Sequence, residues 1–313
     1  MFACAIHLSF GGFGTQEGQA LPLEDAGQAL PRKNWIAELS GDANQKGVVG
    51  SKSEEHQRNI TYHFRTYGDD QRKYVCAKQR ISEEAKQTGW FNSIAALGPK
   101  DLPAAFVSTY KDVLQQKRGG GYWIWKLAVF EMALDTMDDG DILVYVDSGC
   151  EINPKGEARF KEYVQMVRSS AYGMVAFNLG LPEHRYTTEK VFRAFAVPGN
   201  HSIRTSGQYV GGIQVIQKGP HSRKWLDLVH KVLQKDPWLI SDRYNTEAKS
   251  VDPEFVDARH DQSILSVSRK IVGSVVIPDE TYPSGVEKHP FWASRQGDCL
   301  AIKAAEEAKA LTF

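Results

Sequence analysis

The chain has 313 residues, 42% of them hydrophobic and 24% charged, which is enough for one large domain or two small ones. Its 38 Lys and Arg residues balance 38 Asp and Glu residues, so no global attraction to nucleic acid or to an anionic membrane is expected. The four cysteines (Cys4, Cys76, Cys150 and Cys299) form no CxxC pair. Their spacing predicts neither a zinc site nor a disulfide framework, and it fits a reducing compartment.

The N-terminal part of the chain differs in composition from the rest. Residues 1–57 are rich in Gly, Gln, Ala and charge, with little periodicity, and we expect a poorly ordered or peripheral extension. The start lacks the basic region of a signal peptide, and no stretch approaches the roughly eighteen apolar residues of a membrane-spanning helix. A compact domain is expected over 58–296, followed by a tail over 297–313.

The domain is predicted to open with a strand over Asn59–Phe64, where residue types alternate. Tyr74–Arg80 then leads across a strand–helix junction into a helix, Ser82–Thr88, which Gly89 caps. Arg80 at this junction could meet a phosphate. The alternative is an ordinary surface or ion-pair arginine.

The most unusual stretch follows in the middle of the chain. Three glycines, 119 to 121, lead into Tyr122, Trp123 and Trp125, and Lys126 closes the run. Such a dense aromatic cluster beside glycines and a lysine is costly to explain as core filling alone. The rings could stack on a base or an acceptor sugar, although packing against a sheet explains at least one of them.

A buried strand is predicted a short way downstream. Leu127–Met137 has the three-and-four spacing of a helix, and Ile142–Val146 is a short apolar run typical of a strand buried on both faces. The strand stops at Asp147, and Gly149 lies two residues further on. Ligands of open α/β sheets bind beyond the carboxyl ends of strands, so Asp147 is a candidate site residue. The alternative is a turn former or helix cap.

Helices and strands continue to alternate along the chain, without an internal repeat. The further expected helices are Asp101–Gln116, Phe160–Val167, Tyr186–Phe195, Trp225–Val232 and Ser263–Arg269, and the further strands are Gly173–Asn178, Gln208–Gln217 and Ser274–Ile277. This alternation predicts an α/β domain with a largely parallel sheet. No GxGxxG follows a strand, and neither GxxxxGK[ST] nor GxSxG occurs, which disfavours dinucleotide-binding, P-loop and α/β-hydrolase folds.

Two later features carry further candidate residues. Gly211 and Gly212 lie inside a predicted strand, which indicates a bulge or the close approach of a ligand or another backbone. His260, Asp261 and Gln262 stand at a predicted helix start, where they could coordinate a metal or hydrogen-bond a polyol. A solvated helix cap is the alternative for these three residues.

Four runs together resemble a known family: RGGGYWIWK, ILVYVDSGCEIN, QYVGGIQVI and RHDQSIL. They are similar to bacterial and viral glycosyltransferases of the GT-A fold that build polysaccharides, and more distantly to glycosyltransferase family eight. In that family a lysine-bearing helix leads to a strand ending in Asp-x-Asp, and Asn-x-Gly and Asp-Gln segments follow. The resemblance covers about Tyr62 to Arg295. It implies one nucleotide-diphospho-sugar transferase domain with a mostly parallel central sheet flanked by helices.

The resemblance also implies roles for single residues. Asp147 matches the first acid of Asp-x-Asp, which holds the donor ribose and a divalent metal, Mn²⁺ or Mg²⁺. Gly149 stands where the second acid is expected, which leaves metal dependence open. His260, Asp261 and His289 are the candidates to replace that acid, and the expected metal ligands are Asp147, His260 and His289.

The remaining implied roles concern the donor and the transfer step. The expected catalytic residues are Asp147, Asp261 and Gln262. Lys126, Arg80 and Arg295 could neutralise the diphosphate leaving group. The expected donor-binding residues are Arg80, Tyr122, Trp123, Trp125, Lys126, Asp147, Gly149, Gln208, Gly211 and Gly212.

The expected activity is transfer of a sugar from a nucleotide-diphosphate-sugar donor to a glycan or lipid-linked acceptor, in the synthesis of surface polysaccharide or glycans. The expected location is the cytoplasm, with a peripheral membrane position as a further option. Two alternatives stay open. One is a degenerate nucleotide-sugar or sugar-binding module, which the missing acid at Gly149 favours. The other is a glycoside hydrolase with Asp147 and Asp261 as its carboxylate pair.

Overall fold

A central sheet organises the part of the chain that the structure, a computed structural model, describes: residues 59–282 and 288–295. The predicted N-terminal extension and the predicted C-terminal tail both lie outside these residues. The strands are β1 Tyr62–Tyr67, β2 Ser93–Leu97, β3 Ile142–Val146, β4 Glu151–Ile152, β5 Met174–Pro182, β6 Gly207–Tyr209, β7 Ile213–Gln217, β8 Val275–Pro278 and β9 Phe291–Trp292. All but β4 and β9 belong to the central sheet, and those two pair with each other.

The strand directions give a mostly parallel sheet. β1 pairs in parallel with β2 and β3, and β8 pairs in parallel with β5. β7 runs antiparallel between β3 and β5, and β6 is antiparallel to β5. Thus β1, β2, β3, β5 and β8 point one way, and β6 and β7 run against them. The predicted fold class is confirmed, and the carboxyl ends of β1 and β3 meet at one edge.

The helices flank this sheet. They are α1 Arg72–Thr88, α2 Ala104–Thr109, α3 Lys111–Leu114, α4 Gly119–Tyr122, α5 Lys126–Thr136, α6 Glu157–Ser169, α7 Glu189–Ala194, α8 His201–Thr205, α9 Pro220–Lys235, α10 Asn245–Val251 and α11 Asp261–Val272. Within the described ranges, no helix has both the length and the apolar character needed to cross a membrane.

Strand β3 shows why its sequence is continuously apolar. Leu143 and Tyr145 pack into one core with side chains of α5, α9 and α11. Ile142, Val144 and Val146 point the other way, into a second core with α1 and α6. Successive side chains of a strand alternate between faces, so a strand covered on both sides must be apolar at every position. This places the end of β3 in the middle of the domain.

Several element predictions are confirmed, and the first helix is a correction. Ile142–Val146 is a strand as predicted, and α7 lies within the predicted helix Tyr186–Phe195, with the Thr188 side chain accepting a hydrogen bond from the Val191 amide at its N-cap. Helix α1, however, begins at Arg72 rather than at Ser82. Ala77, Ile81 and Ala85 are all buried at helical spacing, and this periodicity overrides the strand preference of the preceding residues.

Other departures concern short elements. The helix predicted over Asp101–Gln116 is divided into α2 and α3, with Tyr110 between them. Strand β2 was not predicted, because Ser93–Leu97 shows no alternation and is only partly buried at the edge of the sheet. The strand predicted over Gln208–Gln217 is interrupted between β6 and β7, where the two glycines lie.

Cys150, in the loop between β3 and β4, is a buried free thiol.

Candidate functional site

The short element α4, which holds the glycine-rich run, is a left-handed backbone turn and not a right-handed α-helix. Residues 119–123 all have positive φ, from +53° at Tyr122 to +98° at Gly121. The Tyr122 amide donates to the Arg118 carbonyl at 2.7 Å, which closes the turn. Left-handed conformations cost about 1–2 kcal/mol per residue for residues with a Cβ. Three glycines keep this cost low, and strained backbone of this kind concentrates at functional sites.

This turn fixes the aromatic side chains that follow it. The Trp125 indole donates to the Gly119 carbonyl at 2.9 Å. Its ring stacks on Tyr67, at the carboxyl end of β1, with 3.8 Å between centroids and 17° between planes. Tyr122 and Trp123 instead pack against the His260 ring. The predicted aromatic cluster is therefore divided between two places.

A buried ammonium joins two of the predicted carboxylates. Lys126, at the start of α5, is only 2% exposed. Its Nζ lies 2.5 Å from Asp261 Oδ2 and 3.0 Å from Asp147 Oδ1, and it donates to the Gly211 carbonyl at 3.3 Å. The Tyr145 hydroxyl adds a 2.7 Å hydrogen bond to Asp147 Oδ1. The structure thus brings together residues that the sequence placed on three separate elements.

Burial and charge together set the protonation of this cluster. Burial on its own lowers the pKa of Lys126, but the carboxylates of Asp147 and Asp261 outweigh it and raise that pKa above its usual value. Burial raises the pKa of Asp261, and Lys126 opposes this shift. Burial also raises the pKa of Tyr145, with a further contribution from Asp147. Lys126 is therefore charged, and Tyr145 stays a hydrogen-bond donor.

The double glycine leaves room for this cluster. The Asp147 amide donates to the Gly212 carbonyl at 2.8 Å. A Cβ on Gly212 would lie 2.7 Å from Asp147 Oδ2, and a Cβ on Gly211 would lie 2.9 Å from the Gln262 Cβ. The close approach predicted from the sequence is therefore made by the chain's own side chains.

A chain of buried hydrogen bonds orients Gln262. Its Oε1 accepts from the Gly211 amide at 3.1 Å, and its Nε2 donates to Gln208 Oε1 at 2.6 Å. Gln208 in turn donates to Glu183 Oε1 at 2.9 Å, and Glu183 is paired with Lys270 at 2.7 Å. Gln208 is fully buried, so it acts through Gln262. Glu183 was missed, because nothing in its local sequence marks it.

A cavity of about 660 Å³ opens at this edge of the sheet. This volume lies in the usual range for small-molecule sites, about 300–1,000 Å³. Of the residues singled out in the sequence, those on its wall include Gly119, Trp123, Trp125, Asp147, Gly149, Gly212, Gln262 and Arg295. The wall residues not predicted from the sequence include Tyr67, Asp69, Lys73, Tyr74 and Arg259. Tyr67 and Asp69 could have been found as the end of a strand parallel to β3.

The other predicted site residues lie off this wall. Lys126, Asp261 and Gly211 are immediately behind Asp147. Arg80 is directed at the loop after β3, because its Nη2 donates to the carbonyls of Ser148 at 3.0 Å and Cys150 at 2.7 Å. It braces that loop and is not placed to meet a diphosphate.

The two predicted histidine ligands have other partners. His260 Nε2 lies 2.9 Å from Asp242 Oδ1, and His289 Nε2 lies 3.5 Å from Glu280 Oε2. Neither histidine is on the cavity wall. Within residues 59–282 and 288–295, no group of three or more His, Cys, Asp or Glu side chains is arranged to hold a metal ion. Asp147 already binds the Lys126 ammonium. The predicted ligand set therefore does not fit a divalent ion.

Similar backbones occur among solved structures. Mouse xyloside xylosyltransferase 1, in its apo form, matches with a TM-score of 0.39 at 8% identity, over 70% of this chain and 85% of that one. A glycosyltransferase involved in glycosylation of the major capsid of PBCV-1 matches at 0.37 and 13%, over 74% and 92%. The galactosyltransferase LgtC, in complex with donor and acceptor sugar analogues, matches at 0.36 and 12%, over 68% and 72%. No family model and no curated protein matches the chain. Likeness at this level assigns no activity.

Proposed function

We propose that this protein transfers a glycosyl group from a nucleoside-diphospho-sugar to a hydroxyl of a glycan or lipid-linked acceptor. One observation carries the proposal. Asp147, at the carboxyl end of β3, faces the cavity with a side chain that is 34% exposed, while Lys126, itself paired with Asp261, holds it from behind. A carboxylate fixed in this way, at the edge where α/β sheets bind ligands, suits recognition of a sugar.

The wall of the cavity suits an elongated donor. Tyr74 lies at the β1 side and offers a flat surface to a nucleobase, whereas Tyr67 is buried in its stack with Trp125. Asp147 follows at the end of β3, the neighbouring strand, and Gln262 lies beyond it on α11. The Gln262 amide can donate to and accept from sugar hydroxyls, and the Asp147 carboxylate can accept from them. A nucleoside-diphospho-sugar has its base at one end and its sugar hydroxyls at the other, which matches the order of these residues along the cavity wall.

Glycosyl transfer passes through an oxocarbenium-like state. The bond from the anomeric carbon to the diphosphate oxygen breaks, and its electron pair stays on that oxygen. The acceptor oxygen bonds to the anomeric carbon, and its proton passes to the departing diphosphate or to water. In this scheme Asp147 is the catalytic residue, because its carboxylate meets the sugar. Lys126, Tyr145 and Asp261 are positioning residues that fix the Asp147 carboxylate.

The glycoside hydrolase alternative is not favoured by this geometry. Asp147 and Asp261 bind the same ammonium, so the bound oxygens are no farther apart than the sum of the two distances, 3.0 and 2.5 Å. That is close enough for a retaining pair. However, Asp261 does not line the cavity, so the two acids cannot flank one glycosidic bond.

A role in surface polysaccharide or glycan synthesis, and a location in the cytoplasm, stay predictions.

Release of nucleoside diphosphate from a panel of UDP- and GDP-sugars, with and without mixed glycan acceptors, tests the proposal. The wild-type protein should turn over one donor, and Asp147→Asn should lose about a hundredfold or more of that turnover. Asp227→Asn, which changes an exposed acid on α9, should not. Equal turnover by Asp147→Asn and the wild type would contradict the site assignment. Donor binding without turnover by the wild type would favour the binding-module alternative.

A further inference from the structure

We propose that Arg259 and Arg295 form an anion subsite that holds the diphosphate of the donor through two guanidinium groups and without a protein-held divalent ion. The inference rests on the proposed function for the identity of the anion. Both arginines line the cavity that Asp147 faces. Arg259 precedes α11, and Arg295 follows β9, so two distant parts of the chain supply the two charges.

Arg259 is held in place before any ligand binds. Its amide donates to the Tyr186 carbonyl at 3.1 Å and to Ser263 Oγ at 3.0 Å. Its guanidinium carbon lies 4.0 Å from the centroid of the Tyr186 ring. A planar guanidinium stacked on an aromatic ring keeps its N–H donors in one plane at the ring edge. Arg259 can therefore present a paired set of donors to a phosphate without much loss of side-chain entropy.

The two arginines share one cavity wall. Within residues 59–282 and 288–295, neither guanidinium makes an ion pair with an acidic side chain. Burial lowers the pKa of Arg259, and the positive charge of Arg295 lowers it further, whereas Tyr186, Asp257 and Glu183 oppose the shift. An anion between the two guanidiniums would relieve the repulsion and gain charge-assisted hydrogen bonds.

The acids on the same wall already have partners. Asp147 is bound by Lys126. Asp69 accepts from the Gln71 amide at 2.9 Å and from its side-chain amide at 2.8 Å. Asp279 accepts from the amide of Thr281 at 2.9 Å and from its hydroxyl at 2.7 Å. Within the described ranges, none of these carboxylates forms an ion pair with Arg259 or Arg295, so both guanidiniums can contact a ligand.

The other cations named from the sequence cannot take this role. Lys126 is enclosed by two carboxylates, and Arg80 is directed at backbone carbonyls. The described residues also assemble no three-ligand metal group. A nucleoside diphosphate still needs positive charge when it leaves. In the described part of the chain, the arginine pair supplies this positive charge, and the exposed Lys73 lies further along the cavity wall.

Calorimetric titration of the full chain with inorganic pyrophosphate, and separately with UDP and GDP, in the presence of EDTA, tests the subsite. The wild type should bind pyrophosphate and one nucleoside diphosphate. Arg259→Gln and Arg295→Gln should each weaken the binding of both ligands by about tenfold or more, because each removes charge-assisted hydrogen bonds. Arg259→Lys should lose less than Arg259→Gln, because it keeps the charge but not the planar fork. Arg168→Gln, an exposed arginine on α6, should change nothing.

The outcomes separate this inference from the proposed function. Absence of pyrophosphate binding to the wild type in EDTA, or equal affinity in the wild type and both Gln variants, overturns the subsite. If such a protein still turns over a sugar nucleotide, the proposed function stands and the arginine subsite is rejected. If pyrophosphate binding depends on the arginines but no nucleoside diphosphate binds more tightly than pyrophosphate, the subsite stands and the proposed function is rejected. Circular dichroism melting of each variant checks that it is folded, and Arg259→Lys serves if a Gln variant is not.

Discussion

Lys126 is the residue on which the candidate site depends. Its ammonium is buried, and burial of an unpaired charge is costly. It is tolerated because two carboxylates and a carbonyl surround it. The arrangement leaves Asp147 oriented towards the cavity and Asp261 hidden behind it. Because both predicted acids bind this one cation, Asp147 is the exposed carboxylate and Asp261 is the buried, supporting one.

Replacement of Lys126 by Met should destabilise the protein by about 3–5 kcal/mol, because it leaves the buried Asp261 carboxylate without its cation. Urea unfolding of the variant measures this loss. The double variant Lys126→Met with Asp261→Asn should recover part of the stability, since it removes the unpaired charge. A single variant as stable as the wild type would show that the ion pair is unimportant for folding.

A second prediction for a single residue concerns Asp141 and the pH dependence of the protein's stability. Burial alone would raise its pKa, but hydrogen bonds, first of all from the Thr61 amide at 3.0 Å, lower it from 3.8 to about 2. The folded state therefore binds fewer protons than the unfolded state between these values. The resulting stability, about 2 kcal/mol, is present above pH 4 and is lost as the pH falls towards 2.

Asp141→Asn should remove this contribution. The variant should be less stable than the wild type at pH 7, and the difference should shrink between pH 4 and pH 2. Thermal unfolding at a series of pH values measures both quantities. Asp139→Asn, in the same turn but with a side chain that is 79% exposed, is the matched control. If the difference in stability between the wild type and Asp141→Asn stays constant down to pH 2, Asp141 stabilises the fold through its shape and not through its charge.

At the scale of elements, the left-handed turn at residues 119–123 is the feature that the sequence marked most clearly. The glycines and the aromatic residues after them marked this stretch as unusual, but not its backbone conformation or its neighbours. The turn is held against α3, since a Cβ on Gly121 would lie 2.7 Å from the Leu114 Cα. It thereby sets the direction from which Trp125 and Lys126 enter the site.

Gly121→Ala should cost more stability than Gly140→Ala. Both glycines have similar positive φ, +98° and +92°, so both substitutions strain the backbone, at about 1–3 kcal/mol each. A Cβ at Gly140 meets nothing within 4 Å, whereas a Cβ at Gly121 meets the α3 backbone. The excess loss in chemical unfolding therefore measures the crowding. Equal losses would show that α3 moves aside without cost.

Elements with a strong pattern were predictable, and weakly patterned ones were not. β3 was found because it is apolar on both faces, and α5 because its apolar residues are spaced by three and four. Helix α1 was cut short, because its first residues have strand-like side chains and only the packing of Ala77 and Ile81 reveals the helical period. The break between β6 and β7 was signalled by Gly211 and Gly212, but its cause, Asp147 and Gln262, is distant in sequence.

At the scale of the whole molecule, the site is a meeting of β1, β3, α5, α11 and the link between β6 and β7. Asp147 was predictable as a candidate site residue because it ends a recognisable strand, and Lys126 was predicted from the family resemblance. Their partnership was not, because contacts between distant segments leave no local pattern. Arg259 and Glu183 were missed for the same reason. The predicted metal set did not assemble, since His260 and His289 are occupied by Asp242 and Glu280.

The most direct measurement of the central claim is the melting temperature of the wild type and of Asp147→Asn with UDP, GDP, CMP and their common sugar derivatives. A ligand that binds only the folded state stabilises it by about 2.7 kcal/mol at a hundred times its dissociation constant. One nucleotide class should raise the wild-type melting temperature by several degrees. Its sugar derivative should raise it further, and Asp147→Asn should lose that additional rise. No shift with any nucleotide at millimolar concentration, or the same additional rise in both proteins, would contradict a sugar-nucleotide site at Asp147.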